Sequence, residues 1–413
     1  MTNRNDERFQ MLSHRSNFAE FQITSTTCPN CGHRGMRQIY KVENVPVHSV
    51  LNMTTREMAL NYPRGNVNLA FCENCGFISN IEFNPNVHEY SQKCEETQGF
   101  SPTFNVFSKK LAEQLIQKYN LKNKTVLEIG CGKGEFLTLL SELSGCTGIG
   151  FDPAYISERN KSSAKERLTF ITDFYSEKYS NYFADVYICK MTLEHIQYTN
   201  DFLKIIRKSI GNNQDAIIFF QIPDMIRVLK DVAFWDIYYE HCSYFSPFSL
   251  ATLFDNNDFQ IMNIWTDYDD QYLMIDAKPG KTDNSKFLSE ENKNVIFENT
   301  KYFYENFRSK IEYWKKLIND ASKNKQRVVL WGSGSKGVAF LTTLKVDSMI
   351  EYVVDINPYR QGTYMPGTGH EIVSPEFLTE YKPDLVILMN PVYKQEVRDM
   401  LSKMGVVSKV ITT

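Results

Sequence analysis

The sequence predicts an α/β protein in which a cysteine-rich N-terminal region precedes two units built on parallel sheets. From residue 121 onward, short apolar runs bounded by Gly, Asp or Pro alternate with polar, helix-compatible segments. Such alternation is typical of parallel strands joined by helices. A second glycine-rich turn follows a strand-like run near residue 328, and two CxxC pairs lie before residue 76. These observations together predict three domains.

The composition excludes several classes of protein. The chain has 413 residues, with 42% hydrophobic and 23% charged content, as in ordinary globular proteins. A net charge of −3 gives no basic field for nucleic acid or an anionic membrane, so we expect neither as a partner. No apolar run approaches the roughly 20 residues of a membrane span. The N-terminal residues are polar and lack an apolar signal core, so we expect a cytoplasmic protein.

The first predicted domain, residues 1–105, carries the paired cysteines. Cys28 and Cys31 lie in CPNCG, and Cys72 and Cys75 lie in CENCG. Two such turns brought together give tetrahedral sulfur coordination, which suits a structural Zn²⁺ because four thiolates leave no open position. An iron–sulfur cluster, a redox pair and four unrelated buried cysteines are the alternatives. In a cytosolic chain this pattern favours metal over disulfides.

The second predicted domain, residues 106–280, contains five strand-like runs. They are TVLEIG, CTGIGFD, LTFITD, DVYICK and AIIFFQI. Their lengths and the helix-compatible segments between them predict parallel strands in a Rossmann-like sheet.

The turn after the first of these strands has glycines at alternate positions, in VLEIGCGKGEFL. Such a turn lets a ligand approach the backbone at a helix N-terminus. A dinucleotide site looks similar, but a glutamate two residues before the first glycine is the pattern of S-adenosylmethionine (SAM) methyltransferases. Asp152 follows the second strand, where an acid can bind ribose hydroxyls, and Asp173 follows the third, near a bound adenine. The predicted cofactor-binding residues are Glu128, Gly130, Gly132, Gly134, Phe136, Asp152, Asp173 and Met191.

Proton-carrying side chains follow the fourth and fifth strands. Glu194 and His195 lie in CKMTLEHIQ, and Tyr238, Glu240 and His241 lie in FWDIYYEHCSYFS. Because the carboxyl ends of parallel strands meet at one edge of a sheet, we expect these groups to share a cleft. Histidine suits proton removal near neutral pH, tyrosine can donate to a developing oxyanion, and a carboxylate can orient an imidazole.

The third predicted domain, residues 281–413, is a smaller Rossmann-like unit. A polar stretch at 277–286 predicts a linker, and the charged amphipathic stretch 291–325 predicts a long helix. RVVLWGSGSKGVAFL restarts a strand, glycine loop and helix, and IEYVVDINP and PDLVILMNP predict further strands.

The second glycine loop admits two interpretations. Ser333, Ser335 and Lys336 could hold a phosphate, with Asp355 at the next strand end. We favour the alternative that this domain helps to build the substrate cleft.

These motifs resemble those of the three-domain, zinc-containing, SAM-dependent sugar C-methyltransferases, which act on nucleotide-linked deoxysugars. The resemblance lies in the CxxCG pairs, VLEIGCGKGEFL, IYYEHCSYFS and the C-terminal VVDINPYRQGTYMPGTGHEIVSPEFL. It implies that His241 removes a proton beside a ketone, with Tyr238 and Glu240 assisting. It also implies site roles for His195 and Tyr90. The segment TDYDDQYLMIDA departs from the family, which carries a His-Gly-Gly-Ser-like segment there, so the substrate stays open.

We therefore predict SAM-dependent C-methylation of a keto-sugar nucleotide or a related small molecule, through an enolate formed by His241. One alternative is an O- or N-methyltransferase of a natural-product or glycan precursor. Another is a non-catalytic, zinc-bearing scaffold whose methyltransferase domain has decayed. Since the family is often monomeric, the resemblance favours a monomer.

Overall fold

The computed structural model describes residues 21–87 and 90–413, so the polar N-terminal stretch lies outside the described residues. The N-terminal region forms a small antiparallel sheet. Its strands are β1 (Ile23–Thr27), β2 (Arg34–Pro46), β3 (Arg64–Phe71) and β4 (Ile78–Asn80), with helix α1 (Arg56–Leu60) before β3. One CxxC turn joins β1 to β2, and the other joins β3 to β4. The two cysteine pairs therefore lie on equivalent turns of neighbouring hairpins.

The central sheet has seven strands. They are β5 (Thr125–Ile129), β6 (Thr147–Phe151), β7 (Leu168–Ile171), β8 (Val186–Lys190), β9 (Ile217–Pro223), β11 (Phe259–Asp267) and β12 (Tyr272–Pro279). Their spatial order is β11-β12-β9-β8-β5-β6-β7. The first five are the predicted runs, and they pair in parallel, which confirms that part of the prediction. The accompanying helices are α2 (Pro102–Tyr119), α3 (Glu135–Ser144), α4 (Thr199–Ile210), α5 (Met225–Asp231) and α6 (Pro247–Asp255).

The last two strands of this sheet are antiparallel, which the alternation of strands and helices does not predict. β11 and β12 form a hairpin, and β12 pairs antiparallel with β9. Four residues join the two strands, and a parallel pairing would need a crossover of a dozen or more. Tyr268, Asp269 and Asp270 in this turn have φ values of 55°, 57° and 54°. The acidic segment that departs from the family pattern is therefore the tip of a hairpin.

A two-residue strand links the central region to the N-terminal sheet. β10 (Ser243–Tyr244) pairs antiparallel with β4, with Ser243 opposite Ser79 and Tyr244 opposite Ile78. It belongs to the segment that carries the candidate acid–base residues. That segment is therefore held between two sheets.

The C-terminal sheet is wholly parallel, as a Rossmann-like unit requires. Its strands are β13 (Val328–Trp331), β14 (Tyr352–Val354), β15 (Glu371–Val373), β16 (Leu385–Leu388) and β17 (Lys409–Thr412), in the order β15-β14-β13-β16-β17. Its helices are α7 (Glu290–Lys323), α8 (Ser335–Leu344), α9 (Leu378–Tyr381) and α10 (Lys394–Lys403). The α/β fold class with two Rossmann-like units is confirmed.

The 34-residue helix α7 confirms the predicted long helix and packs the regions together. Phe303 and Phe307 on α7 contact the ring of Tyr40 on β2, with centroids 5.7 and 5.3 Å apart. Trp314 lies edge-on to Phe340 of α8, at 5.3 Å. One apolar core therefore joins the N-terminal and C-terminal sheets. Within residues 21–87 and 90–413, every helix is too short or too polar to cross a membrane.

Candidate active site

The glycine loop lies between β5 and α3, where the sequence predicts it. Gly130, Gly132 and Gly134 have φ values of 72°, 54° and 80°, which favour glycine. A Cβ on Gly130 would lie 1.9 Å from Oγ1 of Thr192, so any side chain there would force the loop open. A Cβ on Gly132 would meet only a carboxylate oxygen of Glu96, at 3.2 Å. Apart from that oxygen no atom lies within 4 Å of this position, so the middle of the loop presents bare backbone, as a cofactor cradle requires.

The two predicted acids of the cofactor site differ in their surroundings. Asp152 is buried after β6 and accepts hydrogen bonds from the backbone N–H of Gly132 at 2.8 Å and of Ala154 at 2.7 Å. It thus lies against the glycine loop. Asp173, after the edge strand β7, is bonded instead to Lys178 and to the hydroxyl of Tyr179. The structure brings Asp152 to the loop and gives Asp173 local partners at the edge of the sheet.

The other predicted cofactor residues line the neighbouring strand ends. Glu128 is 2% exposed, and its Oε2 has no hydrogen-bond partner among the described residues. Burial raises the pKa of Glu128 to about 7, although the positive charge of the nearby Lys190 acts to lower it. Phe136 is buried in the first turn of α3, with Nζ of Lys190 3.4 Å from its ring centroid. Met191 follows β8 with a φ of 50° and faces the adjoining cleft.

A cleft of about 360 Å³ opens at this edge of the central sheet, between all three regions. The five predicted catalytic residues all line it, and they come from positions up to 151 residues apart in sequence (241 − 90). They are Tyr90, His195, Tyr238, Glu240 and His241. The second glycine loop forms the facing wall. The arrangement matches the expectation of one shared cleft.

His241 is buried at the base of this cleft. Its Nε2 lies 2.9 Å from the hydroxyl of Tyr238, and the ring of His195 stands edge-on to it at 4.9 Å. Burial lowers the pKa of His241 well below its ordinary value, and the nearby His195 and Lys336 lower it further. Burial likewise raises the pKa of Tyr238 well above 10. Tyr238 is therefore a neutral phenol and His241 a neutral imidazole, and the tautomer of the imidazole decides which of the two donates their hydrogen bond.

Glu194 lies beside His241, as its position after the fourth predicted strand indicates. Its Oε1 is 4.0 Å from Nε2 of His241, and neither carboxyl oxygen has a hydrogen-bond partner in the described part of the chain. The residue is 2% exposed, and burial raises its pKa to about 8. At neutral pH Glu194 is a protonated acid and can donate a hydrogen bond.

Glu240 faces away from His241, towards the N-terminal region. Its carboxylate accepts hydrogen bonds from the backbone N–H and the hydroxyl of Ser49 and lies 3.4 Å from Nδ1 of His48. The imidazole beside this carboxylate is thus that of His48, while the Glu240 carbonyl lies 3.0 Å from Nδ1 of His195. His48 and Ser49 belong to the site, and no spacing in the sequence connects them to residue 240.

The second glycine loop joins the same network. The hydroxyl of Ser335 lies 2.7 Å from Oγ of Ser49 and can donate to it while Ser49 donates to Glu240. Lys336 reaches into the cleft, with Nζ 2.7 Å from Asp236 and 3.3 Å from Oε1 of Gln271. Asp355 is bonded to the backbone N–H and hydroxyl of Ser333 in the loop itself. These contacts favour the role of a cleft wall for this domain.

The four cysteines of the N-terminal hairpins converge. Cys28 and Cys75 have Sγ atoms 3.7 Å apart, as do Cys31 and Cys72, and all four lie within 4.8 Å of one another. A tetrahedral zinc with Zn–S bonds of about 2.3 Å places its sulfurs about 3.8 Å apart. The donor set and its geometry therefore fit zinc.

Comparison with known proteins supports what the fold and cleft indicate. A family profile described as "Methyltransferase domain" matches residues 103–264, and one described as "C-methyltransferase C-terminal domain" matches residues 275–409. The central unit is thus a methyltransferase domain of the SAM-dependent type. The domain described for C-methyltransferases follows it in the chain, so the two matches together support a C-methyltransferase-like family, as the resemblance of the sequence predicts.

The individual proteins that match this chain do so at low sequence identity. The chain is 27% identical to the C-methyltransferase NovU of Streptomyces niveus over 198 residues, which is 45% of this chain and 46% of that protein. The match thus spans about half the length of this curated relative. Solved structures with partial similarity include magnesium protoporphyrin IX methyltransferase of Synechocystis PCC 6803, at 15% identity and a TM-score of 0.34 over 43% of this chain and 84% of that one. An O-methyltransferase family protein of Burkholderia thailandensis has 13% identity and a TM-score of 0.34, over 44% and 59% of the respective chains.

Proposed function

We propose that this protein is a SAM-dependent C-methyltransferase that methylates a carbon beside a carbonyl group. The observation that carries the proposal is the buried, neutral His241, held by Tyr238 in a cleft beside the glycine loop. A carbon bound to hydrogen is a poor nucleophile, so C-methylation needs a base as well as a methyl donor. An imidazole kept neutral by burial is a suitable base.

Three residues of the cleft take part in enolate formation, namely His241, Tyr238 and Glu194. When Tyr238 turns its hydroxyl to the acceptor, Nε2 of the Nδ1-protonated His241 has a free lone pair. This lone pair takes the α-proton, and the electron pair of the C–H bond moves into the carbonyl to give an enolate. Tyr238 and Glu194 are neutral acids within reach of His241, and both can donate to the enolate oxygen. SAM, held at the glycine loop, would supply the methyl group: the enolate carbon would form the new C–C bond as the methyl–sulfur bond breaks, and S-adenosylhomocysteine would leave. The imidazolium that His241 forms by removing the α-proton then gives its proton to solvent.

The acceptor that we propose is a nucleotide-linked keto-sugar. Lys336 and Arg227 line the cleft, and each pairs with Asp236, at 2.7 and 2.8 Å. The phosphates of such an acceptor can bind these two cations by displacing the carboxylate of Asp236. The sugar itself follows from the family resemblance.

We propose that Cys28, Cys31, Cys72 and Cys75 hold a structural zinc ion. Asn30 and Asn74 direct side-chain N–H groups at Cys75 and Cys31, with N···S distances of 3.5 and 3.4 Å. Such donors stabilise thiolates, and four thiolates leave no position open for catalysis.

The proposal is tested by proton exchange without SAM. The wild-type protein is incubated in D₂O with a nucleotide-linked keto-sugar, and exchange of the α-proton is followed by mass spectrometry. His241→Gln should abolish exchange and methyl transfer, while SAM binding by calorimetry stays unchanged. Exchange at the wild-type rate in His241→Gln, or methylation at oxygen alone, would overturn the enolate mechanism.

A further inference from the structure

The segment that connects the N-terminal sheet to α2 crosses the glycine loop and is tied to it. Lys133, within the loop, donates from Nζ to the carbonyl oxygens of Cys94 and Ala154, both at 2.8 Å. Its side chain is only 1% exposed. Thr97 makes a second contact: its hydroxyl donates a hydrogen bond to the carboxylate of Glu135, in the first turn of α3, at 2.5 Å. The connector therefore covers one side of the cofactor cradle.

Glu96, in the middle of this connector, points its carboxylate at the loop. Oε1 lies 3.2 Å from the position that a Cβ on Gly132 would occupy, so the carboxylate lies directly over the bare backbone of the loop. Both carboxyl oxygens are shielded from water, and neither has a hydrogen-bond partner among residues 21–87 and 90–413. Nζ of Lys133 is 3.7 Å away, as an ion pair without a hydrogen bond.

A shielded carboxylate that has an ion pair with Lys133 but accepts no hydrogen bond retains capacity for a donor in the functional state. Burial raises the pKa of Glu96 to about 7, and the charge of Asp152 adds to this while Lys133 opposes it. The ligand of this cradle has a suitable group, because the methionyl end of SAM carries an ammonium. Its carboxylate is the complementary charge for the N-terminus of α3.

We propose that Glu96 accepts the methionyl ammonium of SAM in charge-assisted hydrogen bonds. The inference rests on the proposed function, since it requires SAM at the glycine loop, and it extends the cofactor site beyond the matched methyltransferase domain. Residue 96 precedes the match that begins at residue 103. The N-terminal region thereby supplies part of the cofactor site as well as part of the cleft.

Calorimetry in the absence of any acceptor tests this role. The full-length wild-type protein and Glu96→Gln are titrated with SAM and with 5′-methylthioadenosine, which has the same nucleoside and sulfur but no amino-acid end. Hydrogen bonds to a charged group contribute about 1.5–3 kcal/mol, so SAM should bind about 10- to 100-fold more weakly to Glu96→Gln. The affinity for 5′-methylthioadenosine should be unchanged, which also shows that the variant is folded. Glu142→Gln, an exposed change in the same domain, should alter neither affinity.

The other outcomes overturn the inference. Equal SAM affinity in the wild type and Glu96→Gln would show that the carboxylate does not meet the ammonium. Equal weakening of SAM and 5′-methylthioadenosine would place Glu96 at the nucleoside or in loop stability. If the wild-type protein binds neither SAM nor 5′-methylthioadenosine, the proposed function fails together with this inference. The other two outcomes leave the proposed function intact, so the two failures are distinguishable.

Discussion

Replacing Glu194 with glutamine should change how the stability of the protein depends on pH. The carboxyl group is 2% exposed and has no hydrogen-bond partner in the described chain, and burial raises its pKa from 4.5 to about 8. Between these values the folded protein retains a proton that the unfolded chain releases. The stability contributed by the neutral acid is therefore fully present below pH 4.5 and is lost as the pH rises towards 8.

The magnitude follows from the proton balance. One proton difference changes the free energy of unfolding by about 1.4 kcal/mol per pH unit, so between pH 5.5 and 7.5 the wild type should lose about 3 kcal/mol. Glu194→Gln stays neutral and lacks this loss. The variant should therefore gain about 3 kcal/mol relative to the wild type over that range. Exposed Glu158→Gln controls for the removal of one acidic side chain.

The assay is urea-induced unfolding at pH 5.5, 6.5 and 7.5, followed by tryptophan fluorescence; Trp265 lies on β11 in the sheet that carries Glu194. Wild-type and variant stabilities that run parallel across the range would refute a protonated Glu194.

Two further predictions concern the metal site and the glycine loop. Cys31→Ser should release the metal and lower the melting temperature, as measured by elemental analysis and calorimetric melting; unchanged zinc content would contradict the four-thiolate site. Gly130→Ala should abolish SAM binding and destabilise the domain by about 1–3 kcal/mol, because its Cβ would lie 1.9 Å from Thr192. Gly145→Ala is the matched control for positive φ, since Gly145 has a φ of 75° in the left-handed region and no atom within 4 Å of a Cβ; equal effects of the two variants would show that the overlap with Thr192 does not matter.

Local pattern suffices for much of the fold. The five parallel strands of the central sheet and the glycine loop are encoded in contiguous residues, because each run carries its own apolar pattern and its own turn. The long helix α7 can be predicted from the sequence for the same reason. The antiparallel hairpin of β11 and β12 is less visible because its turn uses Tyr268, Asp269 and Asp270 at positive φ instead of a typical Asn-Gly or Asp-Gly turn.

The candidate site is only partly encoded locally. His195, Tyr238 and His241 follow strand ends, so the sheet topology alone predicts that they meet. Glu240 contacts Ser49, which lies 191 residues away in the sequence. This contact depends on how the N-terminal sheet packs against the central domain, and the apolar periodicity of the sequence does not predict that packing. The position of Glu96 over the glycine loop is equally hard to predict, because residues 95–98 around it belong to no helix or strand.

The pairing of β10 with β4 has a consequence for anyone who rebuilds this protein from parts. Ser243 and Tyr244 fix the distance between His241 and the cysteine hairpins, since β4 follows directly from the second CxxC turn. A chimera that exchanges the N-terminal region for that of a relative would therefore disturb the base unless these two residues and their partners on β4 are exchanged as a set.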